Sequence, residues 1–354
     1  MNVKRWVAVA TLLLAGCDAP APPPSSYAGL GADAAAFEQV VPGRALQFPR
    51  DHAAHDGYRI EWWYVTANLR DAEGRDWGVQ WTLFRSALRP GPETADWNSP
   101  NVWMGHAALT DLHGHQVSET LARGGIGQAG AQIGPMRAWI DDWSLQGDDD
   151  IRHLRMRASG AGFRYDLALA SDKPLVLHGK QGYSEKSGKG QASYYYSQPF
   201  YEVTGEIERD GRRIAVTGQA WLDREWSSQP LAAGQSGWDW FSLHLDGGAK
   251  LMLFQVRETQ GAPYRAGTWV AADGRVRPLQ AAEIQLTPLA WTDQGNGKRV
   301  PTRWRVQVPA VQVDAQVDAL QPKAWMGTRF PYWEGPVQVG GRVQGRGYLE
   351  MTGY

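Results

Sequence analysis

The chain has 354 residues, with 36 basic and 37 acidic side chains and a net charge of −1, which excludes the one-sided electrostatic footprint of a nucleic-acid binder. Its one cysteine, Cys17, excludes a disulfide framework, a zinc-thiolate site and a cysteine nucleophile in the folded part. The chain carries 18 Trp against 8 Phe; each indole joins a large apolar face to an N–H that needs a partner, which suits a wet-edged pocket better than a dry core.

In chain order, Lys4 and Arg5 precede an apolar run from Trp6 to Leu14 that stops at LAGC, the pattern of a bacterial lipoprotein signal peptide over residues 1–17. The run is too short to span a bilayer, so the expectation is a mature protein that starts at Cys17, with lipid on its thiol and amino group, held at the periplasmic side of the cell envelope. Residues 18–45, which include DAPAPPPSS, read as a stiff tether.

From residue 46 onward two-residue alternation bounded by Gly, Pro and Asp turns replaces helical periodicity, so the chain is predicted to be all-β. In RIEWWYVTANL, Trp63, Val65, Ala67 and Leu69 share a face; after RDAEGRD, Trp77, Val79, Trp81 and Leu83 do the same. A hairpin that pairs Leu69 with Trp77 sets Val65 opposite Trp81, Trp63 opposite Leu83 and Glu61 opposite Arg85, an ion pair that would keep Glu61 ionised. WWYVTANL (62–69) recurs weakly as WDWFSLHL (238–245), and VTGEI with GQAWLD (203–207, 218–223) as VGGRV with GRGYLE (339–343, 345–350). This predicts two tandem barrel-like domains, 46–225 and 226–354, each able to hold an apolar ligand.

In DHAAHD, His52 and His55 stand three apart in a segment that leads into a strand, unlike the helical histidine pair of a zincin, so no metal is expected and the two read as rim residues or ligand contacts. His113 and His115 in DLHGHQ read as solvated turn histidines. There is no G-x-S-x-G elbow, and GGIGQAGAQIG lacks the lysine of a phosphate loop, so neither a serine hydrolase nor a nucleotide or other cofactor is implied. SGKG before SYYYSQP, with Tyr195 and Tyr196, fits a barrel mouth. The densest signal is WLDREWSSQPL with GWDWFSL, where Asp223, Glu225 and Asp239 lie among Trp221, Trp226, Trp238 and Trp240. A carboxyl desolvated by tryptophans gains proton affinity and can protonate an alkene or leaving group, and the indole faces stabilise the resulting cation. The competing reading makes Asp223 and Arg224 a structural clasp, since Glu350 repeats Asp223.

FPRDHAAH, RIEWWYVTANL, WGVQWTLFR, YYYSQP, GQAWLDREW, GWDWFSLHL, YWEGPV and the terminal GYLEMTGY together resemble the lipocalin-like AttH proteins, often labelled secreted hydrolases, which share a fold with bacterial carotenoid 1,2-hydratase. The resemblance implies two tandem lipocalin-like (calycin) β-barrels. In the carotenoid hydratase branch the acid is an aspartate two residues after a tyrosine, aided by an upstream histidine. Asp223 takes the aspartate's place, but Trp221 replaces the tyrosine and SYYYSQP offers tyrosines where the histidine belongs, which weighs against a carotenoid and leaves another apolar substrate. The expected enzyme hydrates or hydrolyses an apolar molecule, with Asp223, Glu61 and Glu225 as catalytic candidates and Trp63, Trp81, Tyr195, Tyr196, Trp221, Trp238, Trp240, His52 and His55 as ligand contacts. The alternative is a carrier of a hydrophobic ligand, or an accessory subunit of an envelope transporter.

Overall fold

The computed structural model describes residues 34–295 and 297–354; the signal segment, Cys17 and most of the tether lie outside them. Among the described residues regular structure is β, with single 3-10 turns such as Arg50–His52 and no α-helix.

The first sheet is antiparallel. Its path runs from β4 (Gly114–Arg123) through β3 (Asn101–Asp111), β2 (Asp76–Ala87) and β1 (Ile60–Asp71) to β13 (Arg212–Ser227) and β12 (Ala192–Arg209). It continues through β9 (Phe163–Ala170), β8 (His153–Gly160), β7 (Trp143–Gly147) and β6 (Met136–Ile140) to β5 (Ala129–Gln132), while β10 (Val176–Leu177) and β11 (Tyr183–Glu185) pair with β12. The second sheet repeats the central order. It runs from β17 (Val276–Leu279) through β16 (Tyr264–Val270), β15 (Lys250–Glu258), β14 (Gln235–Leu245) and β23 (Gly345–Met351) to β22 (Tyr332–Gly341). It ends through β20 (Val313–Ala319) and β19 (Arg299–Val308) at β18 (Gln285–Asp293), with β21 (Trp325–Met326) on β22. Both sheets curl into barrel-like units, each around its own apolar core. The curl stops short of full closure, since β4 and β5 end the first path and β17 and β18 the second.

The β1–β2 register is the one the alternation implies: Leu69 opposite Trp77, Val65 opposite Trp81, Trp63 opposite Leu83 and Glu61 opposite Arg85. The tandem repeat is also present in register, since Asp223 lies beside Tyr64 and Glu350 beside Trp240, at matching positions of β13–β1 and β23–β14. Two-residue alternation turns Glu61, Trp63 and Val65 into the first core and Trp62 and Tyr64 outward. The outward side of β1 is nonetheless buried, because the second unit packs on it. Tyr64 donates to Glu334 Oε1 at 2.5 Å, Asn68 donates to the Gly347 carbonyl at 2.9 Å, and a Cβ on Gly78 would meet Pro336 at 2.5 Å.

Inside the first unit Glu61 is fully buried and accepts from Arg85, from Arg224 at 3.0 Å, and from the backbone N–H and Nδ1 of His55 at 2.8 and 2.9 Å. Burial raises the proton affinity of Glu61, but Arg85, His55 and Arg224 outweigh it and hold the carboxyl well below the usual range. Arg224 also donates to the Ala53 and Trp62 carbonyls and stacks on Trp63, 3.8 Å from the ring centre. The expected Asp223–Arg224 clasp is therefore absent: successive residues of one strand face opposite ways, and Arg224 joins Glu61 in the core. DHAAHD is stapled over the barrel end by these bonds.

Glu61→Gln leaves two buried guanidinium groups without their counter-charge. It should cost about 3–5 kcal/mol in equilibrium urea unfolding. Because the folded carboxyl is the more acidic, its contribution is complete above the unfolded glutamate's range and is lost as pH falls. A variant as stable as wild type at pH 7 would contradict this.

Candidate active site between the two barrels

The barrel interiors are filled by side chains, so the apolar container expected inside a barrel lies instead between the two units. Its volume is about 190 Å³, above the roughly 150 Å³ that admits a benzene ring in an apolar cavity. The first unit contributes the outward residues Trp62 and Tyr64 of β1, Phe84 of β2, Met104 and His106 of β3, and Asp223 and Glu225 of β13. The second contributes Trp238 and Trp240 of β14, Phe254 and Val256 of β15, Tyr332 of β22 and Glu350 of β23.

Asp223 is 3% exposed. Its Oδ1 accepts from Trp221 Nε1 at 2.6 Å and from the Ser197 hydroxyl, and its Oδ2 from the Tyr195 hydroxyl at 2.7 Å. Burial outweighs these three donors and Glu225 adds repulsion, so the carboxyl is pushed up to about 7. Glu350 behaves alike from the other side. Burial raises it, the Trp238 N–H at 2.5 Å counteracts, and Asp223 and Glu225 raise it further, to about 7. Glu334, next to Glu350 in the sheet, is raised well above the carboxylate range by burial and by Glu350.

Glu225 lies 2.8 Å from Lys186 Nζ, whose ammonium also sits 4.5 Å from the Phe254 ring centre. It faces the cavity as half of an ion pair. His106 lies between Tyr332 OH at 2.9 Å and Glu119 at 3.2 Å; burial lowers its proton affinity despite Glu119, so it is neutral at pH 7.

The structure brings together Asp223, Glu225, Trp238 and Trp240, with Tyr195 and Trp221 holding Asp223 from behind. It does not bring in the others. Glu61, Trp63, Trp81 and Tyr196 point into the first core, on the opposite face of the sheet from Asp223. His52 shares a 2.5 Å hydrogen bond with Tyr196, and His55 stacks on Trp226 at 3.9 Å. Neither histidine reaches the cavity. His113 is exposed, but His115, expected in solvent, is bonded to Thr110 at 2.8 Å, and burial lowers it to about 3.

A sequence profile of the family described as AttH-like matches residues 39–354. The chain belongs to the AttH-like family. This AttH-like protein is 36% identical to a protein from Nitrosomonas europaea whose crystal structure is assigned as AttH, with a TM-score of 0.80 over 90% of this chain and all of that one. It shares its fold with kievitone hydratase from Nectria haematococca (14% identity, 94% of this chain and 98% of that one, TM-score 0.66). CghA, solved with Sch210972, also has this fold (11% identity, 91% and 97%, TM-score 0.54). Comparison with curated proteins finds no match.

Sequence reasoning passed over Glu350, Tyr64, Trp62 and Lys186. Glu350 had a signal, its equivalence to Asp223, but a repeated carboxylate reads as architecture until the two copies are seen to face one another.

The raised carboxyls make a stability prediction. Folding favours the protonated forms, so stability from Asp223 and Glu350 is complete below their ordinary values of 3.8 and 4.5 and declines as pH rises to about 7. Asp223→Asn should remove its share of that decline in denaturation midpoints measured across this window. An unchanged slope would show that Asp223 titrates normally.

Proposed function

We propose that this AttH-like protein hydrates a carbon–carbon double bond of an apolar molecule held between its barrels, with Asp223 as proton donor and Glu350 as the base that activates water. The observation that carries the reading is the pair of carboxyls, one from each unit, facing one tryptophan-walled cavity with their proton affinities raised toward neutrality. Ionising one opposes ionising the other, so near neutral pH the favoured state has one acid and one carboxylate, the division of labour that hydration needs.

Asp223 transfers its proton to one alkene carbon, and positive charge develops on the neighbouring carbon. The indoles of Trp62, Trp238 and Trp240 line the cavity, and an indole face attracts such a charge. Water attacks the cation while Glu350 takes its proton, so H and OH add across the bond, leaving Asp223 ionised and Glu350 protonated. Glu225 stays paired with Lys186 and sets the local charge. The resemblance in fold to kievitone hydratase supports a hydratase over a hydrolase. In this reading a lipid at Cys17 holds the domain at the periplasmic face of the envelope, where apolar substrates partition.

The test is incubation of wild type and Asp223→Asn with a panel of apolar alkenes in heavy-oxygen water, read by mass spectrometry. Wild type should yield a product heavier by one labelled water, with a bell-shaped pH dependence. Asp223→Asn should bind the same molecule and turn it over about 10²–10⁴-fold more slowly. Equal binding with no turnover by either protein would contradict the enzyme and favour a carrier.

A further inference from the structure

Hydration leaves Asp223 without its proton while substrate or product fills the cavity in front of it. The structure offers a second way in. Ser197, opposite Asp223 on β12, donates to Asp223 Oδ1; His178 Nε2 lies 2.6 Å from Ser197 Oγ; His178 Nδ1 lies 2.8 Å from Thr268 Oγ1. His178 is fully buried, just beyond β10, and Thr268 belongs to β16 of the other unit. Thr268 borders a separate, more polar cavity of about 380 Å³, which Lys180, Glu185, Arg265 and Gln280 also line. Phe254 borders both cavities.

The polarity of this chain follows from its donors. The one proton of Ser197 goes to Asp223, so His178 Nε2 must carry hydrogen to donate to Ser197, and Nδ1 accepts from Thr268. Burial, with Lys186 adding to it, holds His178 well below its ordinary value, which keeps the ring neutral and able both to give and to take a proton. Every hydroxyl and ring hydrogen in the chain therefore points from the second cavity toward Asp223.

We propose that Thr268, His178 and Ser197 form a proton relay that reloads Asp223 from the second cavity while the first is occupied. The inference rests on the hydration reading and deepens it. When Asp223 has given its proton to substrate, Ser197 passes its hydroxyl proton to Oδ1, His178 passes the Nε2 proton to Ser197, Thr268 passes its proton to Nδ1, and Thr268 takes one from water in the second cavity. One proton enters and one reaches Asp223, while Glu350, which lines the first cavity, releases to solvent the proton it took from the attacking water when product leaves, so the cycle closes. When the first cavity empties, one proton passing the opposite way, from water there through Asp223 and Ser197 to Nε2 and from Nδ1 through Thr268 to the second cavity, restores the starting tautomer. These are positioning residues, since none touches the substrate.

The charged or titratable neighbours of the route are Lys186 and the Tyr195 ring beside His178 (ring centres 4.1 Å apart), Glu225 and Glu350 beside Asp223, and Lys180, Tyr183, Glu185, Tyr264 and Arg265 at the outer end. Substitution of the relay residues leaves these groups in place.

The test follows the infrared C=O band of protonated Asp223 after a rapid drop in pH, with Asp223→Asn assigning the band and N-phenylnaphthylamine, a neutral apolar dye, filling the first cavity. His178→Gln keeps hydrogen bonds to both neighbours but cannot pass a proton, and Thr268→Val keeps the shape and loses the hydroxyl. With dye bound, both variants should reload Asp223 at least about tenfold more slowly than wild type. With the cavity empty they should match wild type, which a merely structural role would not produce. A wild-type midpoint near 7 with equal dye-bound rates in all three proteins overturns the relay and leaves the hydration reading standing. A midpoint in the ordinary carboxylate range overturns the hydration reading and the relay with it.

Discussion

The pleat of β1 and β13 is the constraint on which the rest depends. Because neighbouring residues of a strand face opposite ways, the run LDREW sends Arg224 and Trp226 into the barrel and Asp223 and Glu225 out of it. The inward set is held by a fully paired Glu61, and the outward set is covered by a second barrel. One strand thus carries a structural charge cluster on one side and the carboxyls that line the cavity on the other. A one-residue slip in register would exchange them.

The two sides treat their carboxyls in opposite ways for a physical reason. Glu61 is surrounded by two guanidinium groups and His55, so it stays ionised despite complete burial. Asp223 and Glu350 are buried with neutral donors and near other carboxyls, so desolvation wins. The second unit repeats the inward device: Arg257 stands where Arg85 does relative to the core strands, and it holds buried Asp239. Duplication accounts for the site as well as for the fold. Two copies of one strand pair, packed outer face to outer face, bring two copies of the terminal carboxylate to a single cavity.

Much of this was legible in the residues. The alternation of Trp63, Val65, Ala67 and Leu69 against Trp77, Val79, Trp81 and Leu83 contained the hairpin register, and the Glu61–Arg85 pair followed from it. The parallel between GQAWLD and GRGYLE contained the tandem architecture. The site was only half legible, because period-two patterning reports which face is apolar and not what covers the other. Trp63 and Trp81 looked like pocket walls since large aromatics on one face suit either a core or a container, and only packing decides between them. Tyr64, Trp62 and Lys186 carry no local motif; they matter because strands distant in sequence close over them, β14 with Trp240 over Tyr64, and β13 and β15 with Glu225 and Phe254 around Lys186. His178 was invisible for the same cause, its partners being Ser197 on β12 and Thr268 in the other unit.

The central claim is that the apolar molecule sits between the barrels and not inside either one. A crystal structure with a bound neutral apolar ligand, N-phenylnaphthylamine, tests it most directly. The account predicts electron density against Trp62, Trp238 and Trp240, within reach of Asp223 and Glu350. Density inside the first barrel against Trp63 and Trp81 would contradict it.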